Sequence, residues 1–303
     1  MRSFFLAAMG ASLAVACSSN DDASADGAVD VATSDGPDVV EAGLSCSSGG
    51  AGGAEGLFNK SEAVNGVPRT YVLDVPPAAL AQDGGCGAPL LIGLHGAGDT
   101  ASNFLEYTQL EGAAYSEGFV LAGPNAVNGA WYLTTSQGWT SPDGNPTSLQ
   151  NDVALVLQII SDASSAYDID PTRIFVCGWS RGGGFAGVLA TASGNPAPIT
   201  GLAPNYVSPF AAYGISAGYD YFGGMLALDA STPQNPIWAM HGTADQTVPF
   251  SDGQMFATEL GAVGWPVTFT PVPNAPHDWL WQAQYGHSDA ELWAFFMSHP
   301  LQQ

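Results

Sequence analysis

The 303-residue chain is 46% hydrophobic and 11% aromatic, enough for a real core, and it is long enough for one large domain with a tail. Its 28 acidic residues against 5 Lys+Arg, a net charge of −23, argue against nucleic acid as a partner and against electrostatic adhesion to anionic lipid. Much of that acid lies in one stretch near the N-terminus, so the total overstates the charge of the folded surface.

Residues 1–17 read as a secretory signal: Met1-Arg2 is a minimal basic start, and Phe4 to Ala16 is apolar but too short to span a bilayer. Leu13-Ala14-Val15-Ala16-Cys17 resembles a bacterial lipoprotein lipobox, although that family prefers Leu where Ala14 stands. The resemblance implies acylation of Cys17 and attachment to a membrane only through that lipid; plain secretion is the alternative. Residues 18–56 are rich in Asp, Ser, Ala and Gly, without an aromatic residue until the folded part begins, and are expected to form a solvated acidic tether.

The folded domain is expected over residues 57–303. Arg69 to Val75 reads as a strand ended by Pro76-Pro77, and Pro89 to His95 as a strand buried on both faces. A helix is predicted over Ala101 to Ser116, a strand over Phe119 to Ala122, and a helix over Asp152 to Ala166. Then come a strand over Ile174 to Cys177, a helix, a strand over Ile199 to Val207, and a strand over Pro236 to Met240. A helix around Gln254 to Leu260, a strand over Val267 to Thr270 and a helix over Asp289 to Met297 complete the alternation. Such alternation predicts an α/β fold, a mostly parallel sheet with helices on both faces.

The decisive stretch is Gly178-Trp179-Ser180-Arg181-Gly182, between an apolar strand and a small-residue helix. A Ser on so sharp a turn needs glycines on both sides, where a Cβ would collide with the neighbouring strand and helix. Ser180 is thereby a candidate nucleophile. The Arg181 N–H, at a helix N-terminus, is a candidate donor to a developing oxyanion. The five-residue pattern recurs in Gly214-Ile215-Ser216-Ala217-Gly218, but there no strand is expected before the Ser and no helix after it, so context favours Ser180.

A serine nucleophile needs a base, an orienting acid and a second oxyanion donor. Asp245 follows the strand ending at Met240 and is the candidate acid; Asp252 competes but reads as a helix N-cap. His277 follows the last strand and is the candidate base, ahead of His287 and His299 beside the final helix and of His241, a turn residue packing beneath the site. In His95-Gly96-Ala97-Gly98 the Ala97 N–H is the candidate second donor, with Gly98 as alternative. Trp131 and Trp139 in the loop from Asn125 to Ser148, together with Tyr213 and Trp279, are candidate substrate-binding aromatics; the alternative is that they only pack loops onto the sheet. Cys177 lies inside a strand and reads as a buried small hydrophobe, whereas Cys46 and Cys86 flank the first predicted strand and could pair as a disulfide. No metal or cofactor motif is present, and none is implied.

With these residues in place the chain resembles the α/β-hydrolase superfamily. Within it, it is similar to secreted esterases related to poly(3-hydroxybutyrate) depolymerases and feruloyl or acetylxylan esterases, the group of carbohydrate esterase family one. The matching segments are Leu94-His95-Gly96, Asn151-Asp152-Val153, Tyr167 to Arg173, Gly178 to Gly183, His241-Gly-Thr-Ala-Asp245-Gln-Thr-Val-Pro249 and Pro276-His277-Asp-Trp279. The resemblance implies hydrolysis of carboxylic esters by an acyl-enzyme route, with small-molecule or polymeric ester substrates and a monomer. The chain departs from the group at Ala97, where Cys or Gly is common, and at Arg181, where Asn is common. Two other readings fit the same fold: a surface lipoprotein that binds glycan or polymer without catalysis, and a serine peptidase.

Overall fold

The computed structural model describes residues 52–81, 87–131, 148–193, 206–219 and 234–302. All of these fall within one compact unit, Ser45–Gln303. The strands are β1 Gly56–Val64, β2 Val67–Val75, β3 Ala88–Leu94, β4 Val120–Pro124, β5 Ile169–Trp179, β6 Ala212–Ser216, β7 Ile237–Gly242 and β8 Val267–Val272. The α-helices are α1 Pro77–Leu80, α2 Ala101–Tyr107, α3 Leu110–Glu117, α4 Ser148–Ala166, α5 Arg181–Thr191, α6 Phe250–Ala262 and α7 Asp289–Met297.

The eight strands form one sheet in the order β1-β2-β4-β3-β5-β6-β7-β8. β1 and β2 run antiparallel to each other, β2 runs antiparallel to β4, and every pairing from β4 to β8 is parallel. Because side chains alternate across a strand, Leu90 and Ile92 of β3 enter one core while Leu91 enters the other. α1, α4, α5 and α6 contribute to the first core, and α2, α3 and α7 to the second, so both faces of the sheet are covered. β3 is buried at every position, as its uninterrupted apolar run requires.

Buried polar groups tie the layers together. Arg69 of β2 meets Asp152 of α4 at 2.6 Å, with both side chains almost wholly buried, and donates to the Asn125 carbonyl at 3.1 Å. Removing either partner alone strands a buried charge, at a cost of about 3–5 kcal/mol. Asp170 accepts from the Thr172 hydroxyl at 2.7 Å and from Arg173 Nε at 2.5 Å, which braces the entry to β5. Burial pushes the Asp170 carboxyl up, but the bonds from Thr172 and Arg173 together outweigh it and hold the carboxyl below its usual range.

Four local expectations are corrected. β1 is a strand that the sequence reading passed over: exposure alternates along it, but Asn59 to Glu62 are polar on both faces, and Asn65-Gly66, both at positive φ, make the hairpin turn into β2. The single helix expected over Ala101 to Ser116 is two, broken where Gln109 adopts φ 63°. The strand expected over Ile199 to Val207 is not there at Tyr206 and Val207; the strand is β6, and 199–205 lie outside the described residues. Asp252 lies in the first turn of α6, whose N-cap is Pro249. Cys17, Cys46, Cys86 and Trp139 also lie outside the described residues.

Candidate active site

Ser180 stands between β5 and α5 at φ 54° and ψ −118°, a conformation that costs of order 1–3 kcal/mol and persists only where the surroundings impose it. A Cβ at Gly178 would overlap the Gly182 carbonyl of the helix, and one at Gly182 would overlap the Leu94 and His95 carbonyls at the end of β3. Both glycines are therefore demanded by contact, one from the helix and one from the neighbouring strand. α5 is buried on all sides, which its run of Gly and Ala permits; a Cβ at Gly187 would press on Phe256 of α6.

Three parallel strands deliver three side chains to one edge of the sheet. Ser180 follows β5, Asp245 lies on the turn after β7, and His277 lies on the loop after β8. His277 Nε2 is 2.8 Å from Ser180 Oγ, and His277 Nδ1 is 2.7 Å from Asp245 Oδ2. The carboxylate can only accept, so Nδ1 carries the ring proton and Nε2 is left to accept from the serine hydroxyl. The Asp245 side chain is fully buried, and its Oδ1 accepts from the amides of Thr247 and Val248 at 2.8 and 2.9 Å. The His277 side chain keeps 13% exposure, so the ring is reachable while its acid is not.

His241 is the last-but-one residue of β7 and not a turn residue. Its Nε2 lies 3.0 Å from the Val248 carbonyl and 3.3 Å from Asp245 Oδ2, so Nε2 carries the proton and approaches the same carboxylate oxygen as His277 Nδ1. His95 is also buried: Nε2 accepts from the Ala126 N–H at 3.1 Å, and Nδ1 donates to the Gly96 carbonyl at 2.7 Å. Burial holds this imidazole below its usual pKa, neutral as that pattern needs. It anchors the loop that carries Ala97. The Gly98 N–H in that loop is taken by the Gly129 carbonyl at 2.7 Å, which disfavours Gly98 as an oxyanion donor and leaves Ala97 as the candidate. Sequence reasoning set His241 beneath the site but found neither its partners nor the part His95 plays, because a buried His carries no local sign of what it bonds.

The comparisons agree with this architecture. No protein-family model matches the chain. It is 29% identical over 183 residues, 56% of its length, to NocK of Nocardia uniformis subsp. tsuyamanensis, an inferred esterase. It is 28% identical over 171 residues to a bifunctional acetylxylan esterase/xylanase of Neocallimastix patriciarum. The chain spans 51% of the first protein and 21% of the second. An S-formylglutathione hydrolase from Agrobacterium tumefaciens superposes with a TM-score of 0.55 at 15% identity, covering 82% of this chain and 96% of its own. The fold is that of the α/β-hydrolases.

Within this fold the predicted aromatic wall does not stand where expected. Trp131, Tyr213 and Trp279 are core residues with at most 1% exposure. Trp131 stacks on Phe185 and donates to the His95 carbonyl at 2.8 Å. The Tyr213 hydroxyl meets Ser208 Oγ at 2.5 Å, and Trp279 packs edge-on against Phe104 while its indole N–H donates to Asp289. Each ring is large and each has its polar atom satisfied inside the protein, which is the packing alternative. The aromatic next to Ser180 is Trp179, half-buried, its ring centroid 5.3 Å from that of His277 and so close to Gly96 that a Cβ there would strike it. The Arg181 side chain is buried, and its Nε donates to the Trp131 carbonyl at 2.7 Å, binding α5 to Trp131. Cys177 is buried in β5, where desolvation pushes its thiol well above the usual range and leaves it unreactive. Among the described residues no group of His, Cys, Asp or Glu could hold a metal ion.

Proposed function

We propose that the chain is a serine esterase that hydrolyses carboxylic esters through an acyl-enzyme. The observation that carries the proposal is the unbroken relay Ser180 Oγ, His277 Nε2, His277 Nδ1, Asp245 Oδ2, at 2.8 and 2.7 Å. His277 takes the Ser180 proton as Oγ attacks the ester carbonyl, and buried Asp245 stabilises the imidazolium that forms. The Ala97 and Arg181 N–H groups receive the oxyanion. Collapse of the tetrahedral intermediate breaks the bond to the alcohol, which leaves with the proton from His277; water then attacks the acyl-enzyme by the same steps.

The substrate class we propose is a short acyl ester on a polysaccharide. The acetylxylan esterase among the relatives supports it. So does the burial of Trp131, Tyr213 and Trp279, which removes three of the aromatic surfaces that a feruloyl group would stack on. The lipobox-like Leu13 to Cys17 supports export with a lipid on Cys17, and the acidic stretch after it a tether. The test is hydrolysis of p-nitrophenyl acetate and labelling by a fluorophosphonate probe, with wild type and Ser180→Ala side by side. Wild type is expected to turn over and to label and Ser180→Ala to do neither; retained turnover in the folded variant refutes the assignment.

A further inference from the structure

We infer that Ser216, the central residue of the second Gly-x-Ser-x-Gly, is a positioning residue that ties the nucleophile to its base. This rests on the reading of Ser180 and His277 as those two groups. Ser216 is the last residue of β6, contrary to the expectation that no strand precedes it, and it is fully buried. Its carbonyl accepts the Ser180 N–H at 2.9 Å. Its hydroxyl donates to the Asp278 carbonyl at 2.9 Å and accepts from the Leu280 N–H at 3.0 Å.

One residue thus holds both ends of the Ser180–His277 hydrogen bond. The main chain of Ser216 fixes the elbow, and its side chain clamps the segment directly after His277. The Asp278 side chain completes the clamp: it accepts from the Trp279 N–H at 2.8 Å and from the Tyr285 hydroxyl at 2.6 Å. A hydroxyl suits the position because it can donate and accept at once. Alanine there would leave a buried carbonyl and a buried amide without their partner, and the loop would move to satisfy them. Ser216 touches no reacting atom and acts through His277, whose ring must point at Ser180 Oγ and Asp245 together.

The test uses the full-length protein with Ser216→Ala, Ser216→Thr and Ser216→Cys. The readouts are kcat and KM on p-nitrophenyl acetate per folded molecule, and the low-field proton NMR resonance of His277 Nδ1–H, assigned by its absence in His277→Ala. Ser216→Ala is expected to lower kcat by about 10²-fold, the scale of a misplacement near 1 Å, with KM nearly unchanged. Its low-field resonance is expected to move upfield or vanish. Ser216→Thr returns the hydroxyl and restores both readouts. Ser216→Cys, close in size but a poor donor, follows the alanine variant and stands in for it where that variant does not fold. A folded Ala or Cys variant with unchanged kcat and an unchanged resonance overturns the inference, as does a loss confined to Tm. If wild type hydrolyses no ester, the esterase reading fails, while the resonance still decides whether Ser216 orients His277.

Discussion

Asp245→Asn separates the charge and orientation of the acid from its packing. Oδ1 of Asp245 sits where the Thr247 and Val248 N–H groups converge at 2.8 and 2.9 Å, and Oδ2 faces His277 Nδ1 at 2.7 Å. An asparagine must keep its carbonyl oxygen at the first position, because an NH₂ there would face two donors. Its NH₂ then points at His277 Nδ1, which can only accept from it. The neutral ring is left with its proton on Nε2, 2.8 Å from Ser180 Oγ, where it is no base. Volume and burial hardly change, so the fold is expected to survive. The expected loss is about 10⁴-fold in kcat, or roughly 5 kcal/mol of transition-state stabilisation, with KM changed far less. Steady-state hydrolysis of p-nitrophenyl acetate at neutral pH, beside a thermal melt of each protein, measures it. A folded Asp245→Asn that keeps more than about a tenth of wild-type kcat refutes the orienting role.

Gly182→Ala should destabilise by about 1–3 kcal/mol, because its Cβ meets rigid carbonyls of β3 and not a yielding side chain; an unchanged thermal melt would contradict that packing. Asp74 is buried on β2 beside Glu111, and burial first, then that neighbouring charge, pushes its carboxyl up to about 6. From about pH 4 to pH 6 the unfolded chain releases a proton that the folded chain retains, so this group lowers stability as pH rises through that window. Asp74→Asn should therefore raise Tm at neutral pH and leave it nearly unchanged below about pH 4; an equal shift at both pH values would show that the charge is not the cause.

Local pattern carried much of the architecture. The apolar run from Pro89 to His95 is legible as a strand covered on both faces, since only such a strand tolerates no polar position, and β3 is buried throughout. The glycines around Ser180 are legible for a similar reason, because the clashes they avoid belong to one turn and its nearest neighbours. β1 escaped notice because Asn59 to Glu62 are four polar residues in a row, and the pairing partner, not the composition, makes the segment a strand.

Chain order nominated Ser180, Asp245 and His277, because each follows a predicted strand and parallel strands end on the same side of their sheet. Their contacts depended on register, which no segment contains by itself: β5 beside β6, β6 beside β7, and β7 beside β8 bring residues 97 apart in sequence to hydrogen-bond distance. The same dependence reversed the aromatic expectations. An indole or phenol has both an apolar body and a polar tip, so Trp131, Tyr213 and Trp279 could have faced substrate or core, and what decided was whether a partner for each tip waited inside. It also separated the two serines that share one five-residue pattern. Ser180 is lifted clear at a strained turn, whereas Ser216 closes a buried strand with both sides of its hydroxyl engaged, because only in the folded sheet does the His277 loop come to rest upon it.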